Sequence, residues 1–104
     1  MQRMLSKSKN YSLVILKPGE KRNSEGVEEI IWEHGRRNFE LRAEGKLSIV
    51  CPVPNGRIVS GICIFNCSVE EAKEIMDGDP GVRARIFEYE VYECRSFPGD
   101  SLPG

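Results

Sequence analysis

Arg57-Ile58-Val59-Ser60-Gly61-Ile62-Cys63-Ile64-Phe65-Asn66-Cys67-Ser68-Val69-Glu70-Glu71-Ala72 contains the transition that decides the fold. Its first ten residues are rich in β-branched and aromatic side chains, which suit a pleated, buried strand. Ser68 with Glu71 three residues on is a capping box, the local signature of a helix start. A strand over residues 57–66 is therefore followed by a helix from Ser68. The strand is apolar on both sides: Ile58, Ile62 and Ile64 alternate with Val59, Cys63 and Phe65. Such a strand belongs at the centre of a sheet, with something covering each face.

Upstream, Pro52 to Gly56 is a turn, and Asn55-Gly56 is the favoured pair for a tight hairpin. Lys46 to Cys51 is then the partner strand. Gly45 ends a preceding helix. That helix starts at a cap supplied by Asn23 or Ser24, carries Glu25 and Glu28 near its positive end, and runs to about Glu44. Val27, Ile30, Ile31, Phe39 and Leu41 approximate a helical stripe, and His34 falls on it four residues after Ile30. Before the polar loop Lys21 to Ser24, the first strand spans Tyr11 to Lys17 and stops at Pro18-Gly19.

Downstream, Val69, Ala72, Ile75 and Met76 form the buried face of the second helix. Gly78-Asp79-Pro80-Gly81 breaks it. The last strand runs from Arg83 to Cys94, with Phe87, Tyr89 and Val91 on one side. Ser96 to Gly104 reads as loop.

The order β-α-β-β-α-β predicts an α+β fold: a ferredoxin-like antiparallel sheet with two helices on one face. Strands one and three are central. Strand one offers Tyr11, Leu13 and Ile15 on one side and Val14 and Leu16 on the other. A half-solvated antiparallel sheet alternates apolar and polar residues instead. The uncovered face needs a cover that the chain has no spare element to supply. A second copy is the economical answer, since closed two-fold pairing is the commonest assembly. The alternative is a monomer with an apolar sheet surface.

The 104 residues make one domain, 1–104, with 1–10 as an N-terminal extension and 96–104 as a C-terminal tail. Hydrophobic residues at 39% and charged residues at 30% are globular values. A net charge of −1 predicts neither a nucleic-acid nor an anionic-membrane partner. Lys21-Arg22 and Arg36-Arg37 read as solvated basic pairs. No apolar run approaches the ~20 residues of a membrane span. Met1 to Asn10 lacks the apolar core of a signal peptide. The expected location is the cytoplasm, where thiols stay reduced. Cys51, Cys63, Cys67 and Cys94 form no CxxC pair. On one strand, Cys63 and Cys67 lie about 13 Å apart, too far for a disulfide. Neither metal-site spacings nor glycine-rich phosphate loops occur, so no cofactor is expected.

His34 is the only histidine. An imidazole titrates near neutral pH and gives or takes a proton, so His34 is either a general acid/base or a core histidine bonded to a backbone carbonyl. Asp79 precedes Pro80, as a helix cap precedes a first helical proline. Its carboxylate also suits the orienting partner of a histidine base, and the two roles are compatible. A helix starting at Ser24 puts His34 about 15 Å along it. Asp79 then reaches His34 only if its turn folds inward over the sheet, or if the helix starts later. Cys51 is either a nucleophile beside the base or an inert thiol. Arg83 and Arg85 point to opposite faces of a strand. One of them either holds an anionic substrate group or stays as exposed charge.

Several stretches resemble the YCII-related (YciI-like) domain family. They are Leu13-Val14-Ile15-Leu16-Lys17-Pro18-Gly19, His34 in the first helix, Glu44-Gly45-Lys46-Leu47, Ser68-Val69-Glu70-Glu71-Ala72 and Asp79-Pro80-Gly81-Val82-Arg83-Ala84. Phe97-Pro98-Gly99-Asp100-Ser101-Leu102-Pro103 is similar to an ending seen in some members. The resemblance covers nearly the whole chain in order. It implies a dimeric α+β barrel, a small-molecule site, and His34 with Asp79 as the functional pair. Members often carry Gly-Pro where this chain has Cys51-Pro52, so a thiol narrows or alters the cavity. Two functions follow. One is a cofactor-independent acid–base enzyme, isomerase- or lyase-like, with Cys51, Pro52 and Arg83 around its pocket. The other is a non-catalytic homodimeric module for a small ligand or a partner protein.

Overall fold

The computed structural model describes residues 6–104. The part of the expected extension at 1–5, with its share of the signal-peptide reading, lies outside the described residues. Strand β1 spans Lys9–Pro18, β2 Leu47–Pro52, β3 Gly61–Phe65 and β4 Phe87–Ser96. Helix α1 spans Val27–Ala43, α2 Val69–Asp77 and the single turn α3 Pro80–Arg83. The strands form one antiparallel sheet in the order β2-β3-β1-β4. This α+β arrangement is compatible with a ferredoxin-like fold.

Register assigns the two faces. Ser12, Val14 and Leu16 stand opposite Phe65, Cys63 and Gly61 on β3. Val14 and Leu16 stand opposite Val91 and Tyr89 on β4. This is the covered face. Val14, Leu16, Cys63, Phe65 and Phe87 share one buried cluster with Val27 and Leu41 of α1 and Ala72, Ile75 and Met76 of α2. Burying a large aliphatic side chain contributes roughly 1.5–3 kcal/mol. Ser12 is the polar member of this face, and its hydroxyl donates to the Cys67 carbonyl at 2.8 Å.

The opposite face stays apolar at its centre. Leu13 stands opposite Ile64, Ile15 opposite Ile62, and Ile49 opposite Ile64. Ile62 is 37% exposed and Tyr92 49% exposed on this side. No described element covers it.

Helix ends follow their caps. Ser68 Oγ accepts from the Glu71 amide at 3.1 Å and starts α2. Gly45, at φ 81, ends α1: Lys46 N donates to Leu41 O and Gly45 N to Arg42 O, both at 3.0 Å. The start of α1 differs from expectation. Neither Asn23 nor Ser24 caps it; Gly26 does, at φ 77 and without a side-chain bond. Residues 19–24 are used to anchor the loop, with Gly19 N donating to Ile86 O at 2.7 Å and Lys21 N to Arg85 O at 3.0 Å.

Three more expectations need correction. The third strand begins at Gly61 rather than Arg57. Val53-Pro54-Asn55-Gly56 forms a turn, with Gly56 N donating to Val53 O and Asn55 at φ 59. A Cβ on Gly56 would lie 1.9 Å from the Val59 carbonyl oxygen, so the loop closes tightly on that glycine. Pro52 and Pro54 have no N–H to extend the ladder. The last strand begins at Phe87 rather than Arg83, because Asp79 caps α3 and Arg85 turns at φ 61. Phe39 is 62% exposed, and Asn38 takes the buried position instead. The inner stripe of α1 is Val27, Ile31, His34, Asn38 and Leu41, whose spacing fits 3.6 residues per turn better than Phe39 does. No described helix is long and apolar enough to cross a membrane.

Candidate functional site

Asp79 organises the site. It follows the end of α2 and adopts φ −69, ψ 132, the extended geometry of an N-cap. Its Oδ2 accepts from Gly81 N at 3.0 Å and Val82 N at 3.2 Å. Pro80 needs no such acceptor, which suits the first helical position. The turn folds inward because Gly81 lies flat on Phe87. A Cβ on Gly81 would meet the Phe87 ring at 2.6 Å. The carboxylate is thereby buried to 1% exposure.

His34 reaches it from α1. Nδ1 lies 2.8 Å from both Asp79 oxygens, and the ring packs on Phe87 at 4.9 Å between centroids. A carboxylate accepts only, so Nδ1 carries the hydrogen of this bond, and in the neutral ring Nε2 is then the nitrogen with the lone pair. Asn38, one turn along, places its amide nitrogen 3.4 Å from Nε2, a donor suited to that tautomer. The later start of α1 and the inward fold of the Asp79 turn are the two conditions under which these residues meet.

Arg37 completes the cluster. Its Nη1 lies 3.6 Å from Asp79 Oδ1, an ion pair rather than a hydrogen bond. That nitrogen is buried and has no hydrogen-bond partner. Gly78 leaves room for the guanidinium, since a Cβ there would stand 3.2 Å from Nη2. Arg36 remains a surface residue, paired with Glu33 and Glu40. The expectation of two solvated arginines therefore holds for one of them.

A cavity of about 360 Å³ opens beside His34, between α1, β2, β3 and the 53–60 loop. Leu16, Ile31, Val50 and Phe87 give it apolar walls. His34, Asn38, Ser60, Asn55 and Arg22 supply polar groups. Its size is at the small end of ligand pockets, roughly 300–1,000 Å³. Cys51 and Pro52 line it. Arg83 does not: it is exposed in the last turn of α3 and is not on a strand.

All four cysteines are free. Burial pushes the Cys63 thiol up to about 11, with smaller contributions from Cys51 and Asp79. Burial also raises Cys67 and Cys94. These three are poor nucleophiles, since the thiolate is the reactive form. Among the described residues, no three His, Cys, Asp or Glu side chains group as a metal site.

Asn38, Arg37 and Arg22 are the site residues that sequence reasoning missed. The available signal for the first two was spacing. Residues three and four positions after His34 share its helix face. No protein-family model matches this chain, and no curated protein shows detectable similarity to it.

Proposed function

We propose that the chain is a small-molecule-binding, YCII-like protein acting as a cofactor-independent acid–base catalyst. One observation carries this reading: a histidine held through Nδ1 by a buried aspartate, lining a ligand-sized cavity. His34 Nε2 takes a proton from an acidic C–H or O–H of the substrate. Asp79 holds the ring and stabilises the imidazolium that forms. Return of the proton to another atom completes an isomerisation or elimination. Such catalysis contributes typically about 10²–10⁴-fold.

Small carboxylic acids and phenols, screened against wild type and His34→Ala by ligand-observed NMR, test the site. Loss of binding with a retained fold supports it, and unchanged binding removes His34 from it. Deuterium incorporation into a bound carbon acid in D₂O then tests proton transfer.

A second reading, a non-catalytic ligand- or partner-binding module, draws on a different observation. Both ring nitrogens of His34 already have protein partners, Asp79 and Asn38. That would satisfy a purely structural histidine. Ligand binding without deuterium exchange selects this reading.

In either case the working form is a homodimer, closed through the apolar sheet face of Leu13, Ile15, Ile62 and Ile64 into a dimeric α+β barrel. The apolar register of that face supports this, because water-facing antiparallel sheets alternate. Four free thiols are in keeping with a cytoplasmic location.

A further inference from the structure

The cavity has an unusual charge balance for this chain. Sixteen of the 104 residues are acidic, yet no aspartate or glutamate lines the cavity. Asp79 stands behind His34 and is committed to it. The one permanently charged side chain on the wall is Arg22. Arg36, Arg37 and Arg85 each pair with a carboxylate. Among the described residues, no carboxylate lies within ion-pair distance of Arg22.

Its backbone is held in place. Arg22 N donates to Gly19 O at 3.2 Å, within the loop that Gly19 and Lys21 anchor to Ile86 and Arg85. A Cβ on Gly19 would stand 2.3 Å from the Arg85 carbonyl oxygen, so only glycine allows the loop to sit this close to the Arg85-Ile86 backbone. A half-buried arginine on a pinned loop, lining a mainly apolar hollow with no carboxylate on its wall, is suited to receive one planar anionic group.

We infer that the cavity selects small organic monocarboxylates and that Arg22 holds the carboxylate. The inference rests on the acid–base reading of the same cavity and names its substrate class. A single guanidinium matches a monocarboxylate bidentately, and the aliphatic and aromatic walls match a compact hydrocarbon body. The chemistry balances without a co-reactant. His34 Nε2 takes a proton from the carbon skeleton, and the C–H electron pair enters the conjugated π-system. The same proton returns at the far end of that system, leaving an isomer of the acid.

Benzoate, uncharged benzamide and inorganic phosphate serve as probes in calorimetric titration of the full chain, with the His34 ring followed by ¹⁵N NMR. Wild type is expected to bind benzoate saturably and to show little affinity for benzamide or phosphate. Arg22→Gln is expected to weaken benzoate at least about tenfold, the scale of a lost charge-assisted bond. Arg22→Lys retains part of the affinity. Among the described residues the Arg22 side chain makes no hydrogen bond or ion pair, so both variants are expected to keep the wild-type amide spectrum.

Equal benzoate affinity in wild type and Arg22→Gln overturns the inference, as does benzamide binding as tightly as benzoate. Absence of benzoate binding overturns it too. Tighter phosphate than benzoate binding reassigns Arg22 to an inorganic anion and also overturns it. The two readings fail separately. If benzoate moves the His34 signals in both proteins, the acid–base site stands and the Arg22 anchor falls. If Arg22→Gln abolishes binding while His34 never responds, the anion site stands and the acid–base reading falls.

Discussion

Both carboxylate oxygens of Asp79 lie 2.8 Å from Nδ1 of His34, joining helices α1 and α3 at a buried point. The same carboxylate accepts the amides of Gly81 and Val82. One side chain therefore sets a helix start and a histidine tautomer together. Helix capping and site orientation are not separable at this position, and substitutions divide them only in part.

Asp79→Ala removes the cap and leaves the Arg37 guanidinium without its carboxylate. Breaking a buried pair costs about 3–5 kcal/mol. Arg37 is partly exposed, so the expected loss is about 3 kcal/mol by urea denaturation. Asp79→Asn keeps an oxygen that accepts from Gly81 and Val82, and should cost about 1–2 kcal/mol. Equal losses for the two variants would show that the cap contributes little.

Gly81→Ala forces a Cβ into the Phe87 ring. Overpacking of this kind costs typically about 1–3 kcal/mol. Phe87→Leu in the same chain should recover part of that loss, because the leucine side chain can yield. Non-additivity in a double-mutant cycle is the measurement. Strict additivity would place Gly81 away from Phe87.

Alkaline pH should destabilise the fold through two groups. Folding raises Cys63 from 9.0 to about 11 by burial. Folding raises Tyr89 from 10.0 to about 12 by burial and by its hydrogen bond to Asp77, at 2.6 Å. In both cases the unfolded chain loses its proton first, so the stabilisation is present below pH 9 and falls as pH rises through 9 to 12. Denaturation midpoints across that range should decline, and Cys63→Ala should flatten the first part of the decline. Cys63 should also resist iodoacetamide at pH 8 until the chain unfolds.

Ile62→Asp places a charge at the centre of the open sheet face. Wild type is expected to sediment at twice the 11.8 kDa chain mass, and the variant at 11.8 kDa with its fold intact. A wild-type monomer at all concentrations would refute the dimer proposal.

Much of the fold was legible from local chemistry. The Ser68 capping box, the Gly45 stop and the two-sided apolar pattern around Val14 and Cys63 each report a short-range preference that the tertiary structure keeps. The errors arose where a distant contact decides. Gly26 replaces Ser24 as cap because residues 19–24 form a loop pinned to Arg85 and Ile86, just before β4. Arg83 and Arg85 leave the last strand because Asp79 nucleates a helical turn there. His34 and Asp79 were visible as residue types, and their meeting depended on the inward fold that Gly81 permits. Arg37 and Arg22 look like surface charge in sequence, since nothing local marks a buried ion pair or a cavity wall.

On this reading Asp79 fixes the His34 ring with Nε2 as the acceptor nitrogen beside the cavity. Long-range ¹H–¹⁵N correlation spectra of this single-histidine chain test it directly at a pH where the ring is neutral. The expected result is a protonated Nδ1 and an unprotonated Nε2 in the wild type, with the preference lost in Asp79→Ala. A wild-type ring carrying its proton on Nε2, or a tautomer indifferent to Asp79, would contradict it.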